Sequence, residues 1–287
     1  MDHQPVPPGS PALEHWAAPL TKVGWFIPPF VQMGAIDSVV KAVMTQPAFG
    51  QDDLERELAP LYRPISLAAM VRLRHAQAAV IEEYAVTIEE AIEAHILGLD
   101  HVAVAGLVPV IEGAARRLAT RHGVASSGQL KPVLRGLIDA CKSHAVTRQL
   151  GAVGEVLSML ESFRGFLETY LYAHSETYPL ADRTNRHGIA HGAYADRDYG
   201  RPLNFYKTIA AVDFLTFVST FIGGGSWFAP AFTPRTLFLA RDWLEQRVAR
   251  DVRLGRTTPK GLMIELAELR AAAPDLSGQP LDEALQL

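Results

Sequence analysis

The chain has 287 residues, of which 48% are hydrophobic and 20% are charged, and this composition excludes a disordered or fibrous protein. The net charge of −4 excludes a polybasic protein of the histone type, so any contact with nucleic acid depends on a local cluster of cations. The single cysteine, Cys141, cannot form an internal disulfide, and the first residues lack the pattern of a signal peptide. We therefore expect a cytoplasmic protein.

The two ends of the chain differ in composition from the rest. Four prolines among the first dozen residues predict a disordered N-terminus over residues 1–12. The polar residues near the C-terminus predict a disordered tail over residues 272–287. Between these ends, we expect a helical N-terminal section over residues 13–64. A larger helical bundle is expected over residues 65–271.

Most of the chain has a helical pattern of apolar residues. Three- and four-residue steps over residues 78–96 predict an amphipathic helix, and residues 102–118 predict a more apolar partner in an antiparallel hairpin. Thr233 and Pro234 are typical of the start of a helix. Further helices are expected at 129–144, 150–172, 203–222 and 234–252. Because no run of alternating residues is long enough for a strand, the sequence predicts an all-α fold, an antiparallel helical bundle.

One apolar segment approaches the length of a membrane span. It covers residues 208–225 and contains Asp213. A charged residue within the segment and the glycines at its end favour a buried core helix over a membrane helix. We therefore expect no membrane association.

The densest group of reactive side chains lies at residues 184–192. Arg186 and His191 have an R-x4-H spacing there. The spacing alone is not specific, since Arg117 and His122 have it as well. Its context distinguishes the first pair, because Tyr199, Asn204 and Lys207 follow it.

This context resembles a known family. The run Asn185-Arg186-His187 with His191-Gly192, followed by Tyr199-Gly200, Asn204 and Lys207, resembles the C-terminal signature of a bacterial family of helical proteins similar to the HEPN superfamily. Two further blocks, Gly24-Trp25-Phe26-Ile27-Pro28-Pro29 and Ile111-Glu112-Gly113, resemble its N-terminal and mid-chain motifs, so the resemblance spans residues 24–207. The sequence departs from the family at Arg201-Pro202. In addition, Tyr194 follows the histidine by three residues, whereas the toxins modified by a nucleotidyltransferase partner have a tyrosine two residues after it.

The resemblance implies a fold and an activity. HEPN proteins are helical bundles and homodimers, and many are metal-independent endoribonucleases of toxin or phage-defence systems. Their R-x4–6-H motif lies at the dimer groove with a polar residue after the arginine, and His187 meets that preference. The implied partners are RNA, a second copy of the chain and an antitoxin or other regulator, and the implied cofactor is none.

The side chains suit this chemistry on physical grounds. Cleavage of RNA by its own 2′-hydroxyl needs a proton acceptor, a proton donor and a cation for the phosphorane, roles that histidine and arginine can fill. Residues five apart on a helix point in different directions, so Arg186 and His191 meet only at a helix start, where Asn185 is the expected N-cap. We predict these two as catalytic. The predicted supporting residues are Asn185, His187, Tyr199, Asn204, Lys207 and Glu112, the last as a partner of Arg186.

Two other functions fit the same residues. In the first, the chain is a non-catalytic helical module for protein interaction, or for binding RNA or a nucleotide, and the motif is structural. In the second, His187 and His191 share a helix face and hold a metal ion for a hydrolase. That site needs a third ligand, for which His174, Asp196 and Asp198 are the nearest in sequence.

Overall fold

The computed structural model describes residues 13–272, which form thirteen α-helices and no strand. The helices are α1 (Glu14–Lys22), α2 (Met33–Thr45), α3 (Gln51–Leu58), α4 (Pro64–Met70), α5 (Ala85–Ile96), α6 (Asp100–Arg121), α7 (Leu130–Arg148), α8 (Val153–Phe166), α9 (Arg186–Ala190), α10 (Asp196–Tyr199), α11 (Pro202–Gly223), α12 (Pro234–Arg253) and α13 (Lys260–Ala272). The predicted all-α fold is confirmed. The expected disordered ends lie outside the described residues, except that Ala272 closes α13.

The helices α5 and α6 form the predicted hairpin, and α6 also packs against α7, α9, α10 and α11. The first helix of the hairpin begins later than the periodicity predicts. Val80 has a φ of 73°, and a 3₁₀ turn over Ile81–Tyr84 precedes α5. Ala78 and Val80 are both buried, so packing holds this stretch in a turn that the local pattern does not favour.

Helix α11 is the core helix of the bundle. By length and composition it could cross a membrane, but 94% of its apolar window is buried inside the structure. Aromatic residues extend from it into the core, where the ring centroids of Phe214 and Phe163 are 3.7 Å apart. Because apolar residues surround the whole helix, this burial accounts for its composition.

The N-terminal section contributes to the same core. Helix α1 packs against α8, and α3 packs against α11. Between α1 and α2, the side chains of Trp25 and Phe26 are fully buried, and the Phe26 ring lies 4.9 Å from that of Phe163. This apolar block therefore fills the core before the next helix.

Two helices end in π-helical turns. Helix α4 continues into a π turn at Val71–His75, and α8 continues into another at Leu167–Leu171. A π turn changes the direction of the last carbonyl groups and side chains of a helix. The first turn carries a buried histidine, His75, and the second leaves the Tyr170 carbonyl free to accept a hydrogen bond from Asn185.

Candidate active site

Helix α9 carries the R-x4-H motif, and Asn185 determines where it begins. The Asn185 side-chain oxygen accepts a hydrogen bond from the Gly188 amide at 2.9 Å, which is the predicted N-cap. Its amide nitrogen donates to the Tyr170 and Ala173 carbonyls at 3.1 and 2.8 Å. Asn185 is fully buried, so it anchors α9 to the end of the α8 segment and positions the motif from beneath.

The short helix brings the two predicted catalytic side chains together. Arg186 is the first residue of α9, and His191 directly follows its last residue. Because the helix spans only five residues, the two side chains meet, with Arg186 Nη1 3.0 Å from His191 Nε2. The same Nη1 is 3.3 Å from His187 Nδ1. Arginine can only donate here, so both ring nitrogens accept, and His191 carries its proton on Nδ1 when neutral.

Glu112 of α6 accepts a hydrogen bond from the second terminal nitrogen of the Arg186 guanidinium. Its Oε2 accepts from Arg186 Nη2 at 2.5 Å, and its Oε1 accepts from Arg116 Nη2 at 3.2 Å. Burial alone would raise the pKa of Glu112, but the hydrogen bonds from Arg186 and Arg116 outweigh it and lower that pKa. The expected contact between Glu112 and Arg186 is therefore present, and the carboxylate is ionised at neutral pH.

A cavity of about 390 Å³ opens beside these residues. Its lining includes five residues outside the predicted set: Arg116, Gln129, Leu130, Lys131 and Tyr172. The cavity thus combines three cationic side chains with one carboxylate, a balance that favours an anion. The four-residue spacing of Glu112 and Arg116 on α6 was a local signal for Arg116. The other four carried no such signal: the packing of α7 on α6 brings Gln129, Leu130 and Lys131 to the motif, and the π turn after α8 leads into Tyr172.

Two buried polar atoms at the site have no hydrogen-bond partner among residues 13–272. These atoms are Arg186 Nε and the Tyr172 hydroxyl oxygen. Burial raises the pKa of Tyr172, so its hydroxyl stays protonated and can donate. A buried donor without a partner is uncommon and expensive in folded proteins. Both atoms are therefore available to donate to an anion that reaches the edge of the cavity.

The predicted supporting residues Asn204 and Lys207 lie beneath the motif. Both are fully buried on α11, and Lys207 Nζ is 2.9 Å from Asp182 Oδ2. Asn204 donates to the Asp182 carbonyl at 2.5 Å and to the Thr184 hydroxyl at 2.9 Å. Both residues therefore contact the segment that leads into Asn185, and neither contacts Arg186 or His191 directly.

Tyr199 and Tyr194 also lie away from the two catalytic candidates. The Tyr199 hydroxyl donates to Asp196 at 3.4 Å. The Tyr194 hydroxyl donates to the Ser175 carbonyl at 2.6 Å, and its ring lies against Gly188 so closely that an added Cβ would clash with it. Tyr194 is 8% exposed and packs the motif in place.

The metal interpretation requires a third ligand beside His187 and His191. Over the described part of the chain, no group of three or more histidine, cysteine, aspartate or glutamate side chains is placed to hold a metal ion. The rings of His187 and His191 stack at 5.9 Å between centroids, and their contacts to Arg186 occupy one nitrogen of each. The arrangement thus joins the histidines to a cation, which disfavours a second cation between them.

We expect the His187 pKa to report on Glu112. Burial and then the Arg186 charge lower the pKa of His187, while Glu112 raises it. In Glu112→Gln the pKa of His187 should therefore fall further, measured by NMR titration of the imidazole protons. As a matched control, Glu83→Gln removes the carboxylate that pairs with Arg117 and should leave His187 unchanged. An unchanged or raised His187 pKa in Glu112→Gln would contradict this electrostatic arrangement.

The lowered pKa of His187 determines how this residue makes the stability of the fold depend on pH. The pKa of His187 is lower in the folded chain than the ordinary value of about 6.5. The unfolded chain therefore binds a proton at this residue at a higher pH than the folded chain does. The contribution of His187 to stability is therefore complete above its pKa in the unfolded chain. It is lost as the pH falls through its pKa in the folded chain.

Comparisons with known proteins were made by three routes. Neither the scan against protein-family models nor the searches among curated proteins and solved structures returned a match. The likeness to HEPN proteins thus rests on the motifs in the sequence.

Proposed function

We propose that the protein is a metal-independent endoribonuclease of the toxin or phage-defence type, acting in the cytoplasm. The observation that carries the proposal is the contact of Arg186 with two exposed histidines at the edge of a cationic cavity. In this proposal, Arg186 stabilises the scissile phosphate and His191 transfers the proton. Glu112 and His187 hold the arginine in place.

The hydrogen bonds of Arg186 support its role in phosphate binding. Nη1 contacts both histidines, Nη2 contacts Glu112, and Nε has no partner among the described residues. The parallel pair on a guanidinium is Nε with Nη2, so a phosphate that accepts from Nε and from the second hydrogen of Nη2 forms two parallel hydrogen bonds, the arrangement that guanidinium groups favour. The 2′-hydroxyl then replaces Nη1 at His191 Nε2 and donates to its lone pair.

The reaction step balances with these groups. His191 Nε2 accepts the proton of the 2′-hydroxyl, the 2′-oxygen bonds to phosphorus, and the bond to the 5′-oxygen breaks. The leaving 5′-oxygen takes a proton from a protonated histidine, and the products carry a 2′,3′-cyclic phosphate and a 5′-hydroxyl. In a homodimer, the proton donor is His191 of the second copy, across a groove shared by the two motifs.

Arg186→Lys provides the experiment that tests this function. The purified protein is incubated with transfer and messenger RNA in excess EDTA, and the product ends are mapped. We expect cleavage by the wild type and a rate about 100-fold lower for Arg186→Lys, because lysine cannot make parallel bonds to phosphate. Arg117→Lys is the matched control, because Arg117 has the same spacing to a histidine but pairs with Glu83 and lies over the Tyr84 ring.

The other outcomes separate the alternatives. RNA that binds with the same affinity in the wild type and Arg186→Lys but stays intact would favour the non-catalytic module. Cleavage that EDTA abolishes would favour the metal-dependent hydrolase. Equal cleavage by wild type, Arg186→Lys and Arg117→Lys would indicate a contaminating nuclease and overturn the proposal.

A further inference from the structure

A second cavity, of about 340 Å³, lies in another part of the fold and shares no lining residue with the first. Apolar side chains form most of its wall, among them Phe30, Ile65, Met70 and Phe232. Its volume is at the lower end of the range for small-molecule sites, about 300–1,000 Å³. The cavity is therefore large enough for a small ligand with an apolar body.

The inner end of this cavity contains a buried carboxylate. Asp213 of α11 is 7% exposed, and its Oδ1 is 2.7 Å from Nε2 of the fully buried His75. Within residues 13–272, Asp213 forms no other hydrogen bond and no ion pair with lysine or arginine. Burial raises the pKa of Asp213, although the hydrogen bond from His75 opposes this effect. A buried carboxylate with one histidine partner gains from a second hydrogen-bond donor or a cation.

A second polar group lines the same space. The Tyr62 hydroxyl is buried and has no hydrogen-bond partner among the described residues. Burial, and then the charge of Asp213, raise the pKa of Tyr62, so its hydroxyl stays protonated. The Tyr62 ring itself is fixed, since it stacks on Tyr206 at 4.9 Å. The lining thus combines the Asp213 carboxylate and the unpartnered Tyr62 hydroxyl with mostly apolar residues.

The one arginine that the described part of the chain contributes to the lining pairs with other carboxylates. Arg63 lines the cavity, but its guanidinium lies 3.4 Å from Glu265 and 3.3 Å from Glu268. Arg63 and Phe232 are exposed, whereas Tyr62 and Asp213 are buried, so the lining extends from residues at the solvent surface to the buried carboxylate. A ligand entering with a polar group first therefore reaches Asp213.

The loop at the mouth is fixed by a hydrogen-bonded arginine. Arg74 donates through Nε and Nη2 to the Phe228 carbonyl, at 3.1 and 2.9 Å, and its guanidinium lies 5.9 Å from the centre of the Phe30 ring. These contacts join the loop after α11 to the segment before α2. The opening is therefore formed in advance, as is usual for small-molecule sites.

We propose that this cavity binds a small molecule that carries a protonated amine on an apolar or aromatic body. The amine donates to Asp213 Oδ2 and to the Tyr62 oxygen, and the apolar body lies against Phe30, Ile65 and Met70. This site is independent of RNA cleavage, because it uses none of the residues around Arg186. A charge-assisted hydrogen bond to a buried carboxylate supplies the preference for an amine over a neutral or anionic analogue.

Three probes of similar size test the proposal. Phenethylamine, 2-phenylethanol and 3-phenylpropionate are titrated against the full chain by calorimetry and saturation-transfer NMR at neutral pH. We expect phenethylamine to bind most tightly and 3-phenylpropionate most weakly. In Asp213→Asn, which keeps the shape of the side chain, we expect phenethylamine affinity to fall about tenfold or more.

Two further variants keep the result clear if Asp213→Asn fails to fold. Ser66→Phe places a ring in the cavity from α4 without removing the carboxylate and should block phenethylamine. Glu112→Gln, in the other cavity, should leave phenethylamine binding unchanged. The proposal is overturned by no binding of phenethylamine at millimolar concentration, by equal affinity in folded Asp213→Asn, by unaltered binding in Ser66→Phe, or by loss of binding in Glu112→Gln.

Discussion

Replacing His191 by alanine is expected to lower the rate of RNA cleavage by up to about 10⁴-fold, the upper limit for the loss of one acid–base group. His191 is exposed, and its side-chain contacts in the described structure are to Arg186 and His187. An exposed side chain with so few contacts contributes little to folding, so the free energy of unfolding should change by less than about 0.5 kcal/mol. We therefore expect His191→Ala to lose cleavage and to keep its fold.

The measurement is the single-turnover rate on the RNA that the wild type cleaves, together with urea unfolding. His122→Ala is the matched control, since His122 follows Arg117 with the same spacing at the C-terminal end of α6. We expect its cleavage rate to equal that of the wild type. A folded His191→Ala that cleaves at the wild-type rate would contradict the assignment of His191.

The pH profile gives a second readout for the same residue. If His191 accepts a proton in one subunit and its counterpart donates one in the other, the rate depends on both protonation states and the profile is bell-shaped. A mixed dimer of wild type and His191→Ala then has no complete proton-transfer pair. We expect its activity to be as low as that of the variant dimer, whereas subunits acting alone would leave half of the activity.

The sequence predicts the helices and the motif because both are local patterns. The three- and four-residue periodicity identified the hairpin of α5 and α6, and the polar residue before Arg186 identified the N-cap of α9. The turn at Val80 was not predictable in this way. Its positive φ is imposed by burial against distant helices, and a local pattern does not contain that information.

The candidate site was predictable only in part for the same reason. Arg186 and His191 belong to one short segment, and Glu112 was conspicuous as a charge in an apolar stretch. Lys131 and Tyr172 reach the cavity through the packing of α7 and the π turn after α8, neither of which follows from residue spacing. The second cavity shows this more strongly, because Tyr62 and Asp213 are far apart in the sequence and meet only in the folded chain.

Replacing Lys207 by methionine is expected to lower the free energy of unfolding by about 3–5 kcal/mol, because it leaves a buried carboxylate without its cation. Lys207 and Asp182 are both fully buried, and the ammonium also donates to Gln51 at 2.8 Å. Burial alone would raise the pKa of Asp182, but the Lys207 charge and the hydrogen bonds from Thr184 outweigh it and lower that pKa. Urea unfolding measures the change.

A matched control separates this effect from the loss of any ion pair. Lys142 pairs with Glu161 on the surface, so Lys142→Met should cost less than about 1 kcal/mol. The double variant Lys207→Met with Asp182→Asn removes the buried charge together with its partner. We expect the double variant to be more stable than Lys207→Met by about 1 kcal/mol or more. Equal stability of the two variants would contradict the pairing.

The same double variant distinguishes positioning from substrate contact. Asp182 and Thr184 lead directly into Asn185, so the buried pair acts on Arg186 through the backbone that begins α9. If Lys207 only positions the motif, cleavage lost in Lys207→Met should return in part when the double variant restores the fold. If Lys207 instead binds the substrate, the double variant stays inactive however stable it is. Because Lys207 is fully buried in the structure, we expect partial recovery.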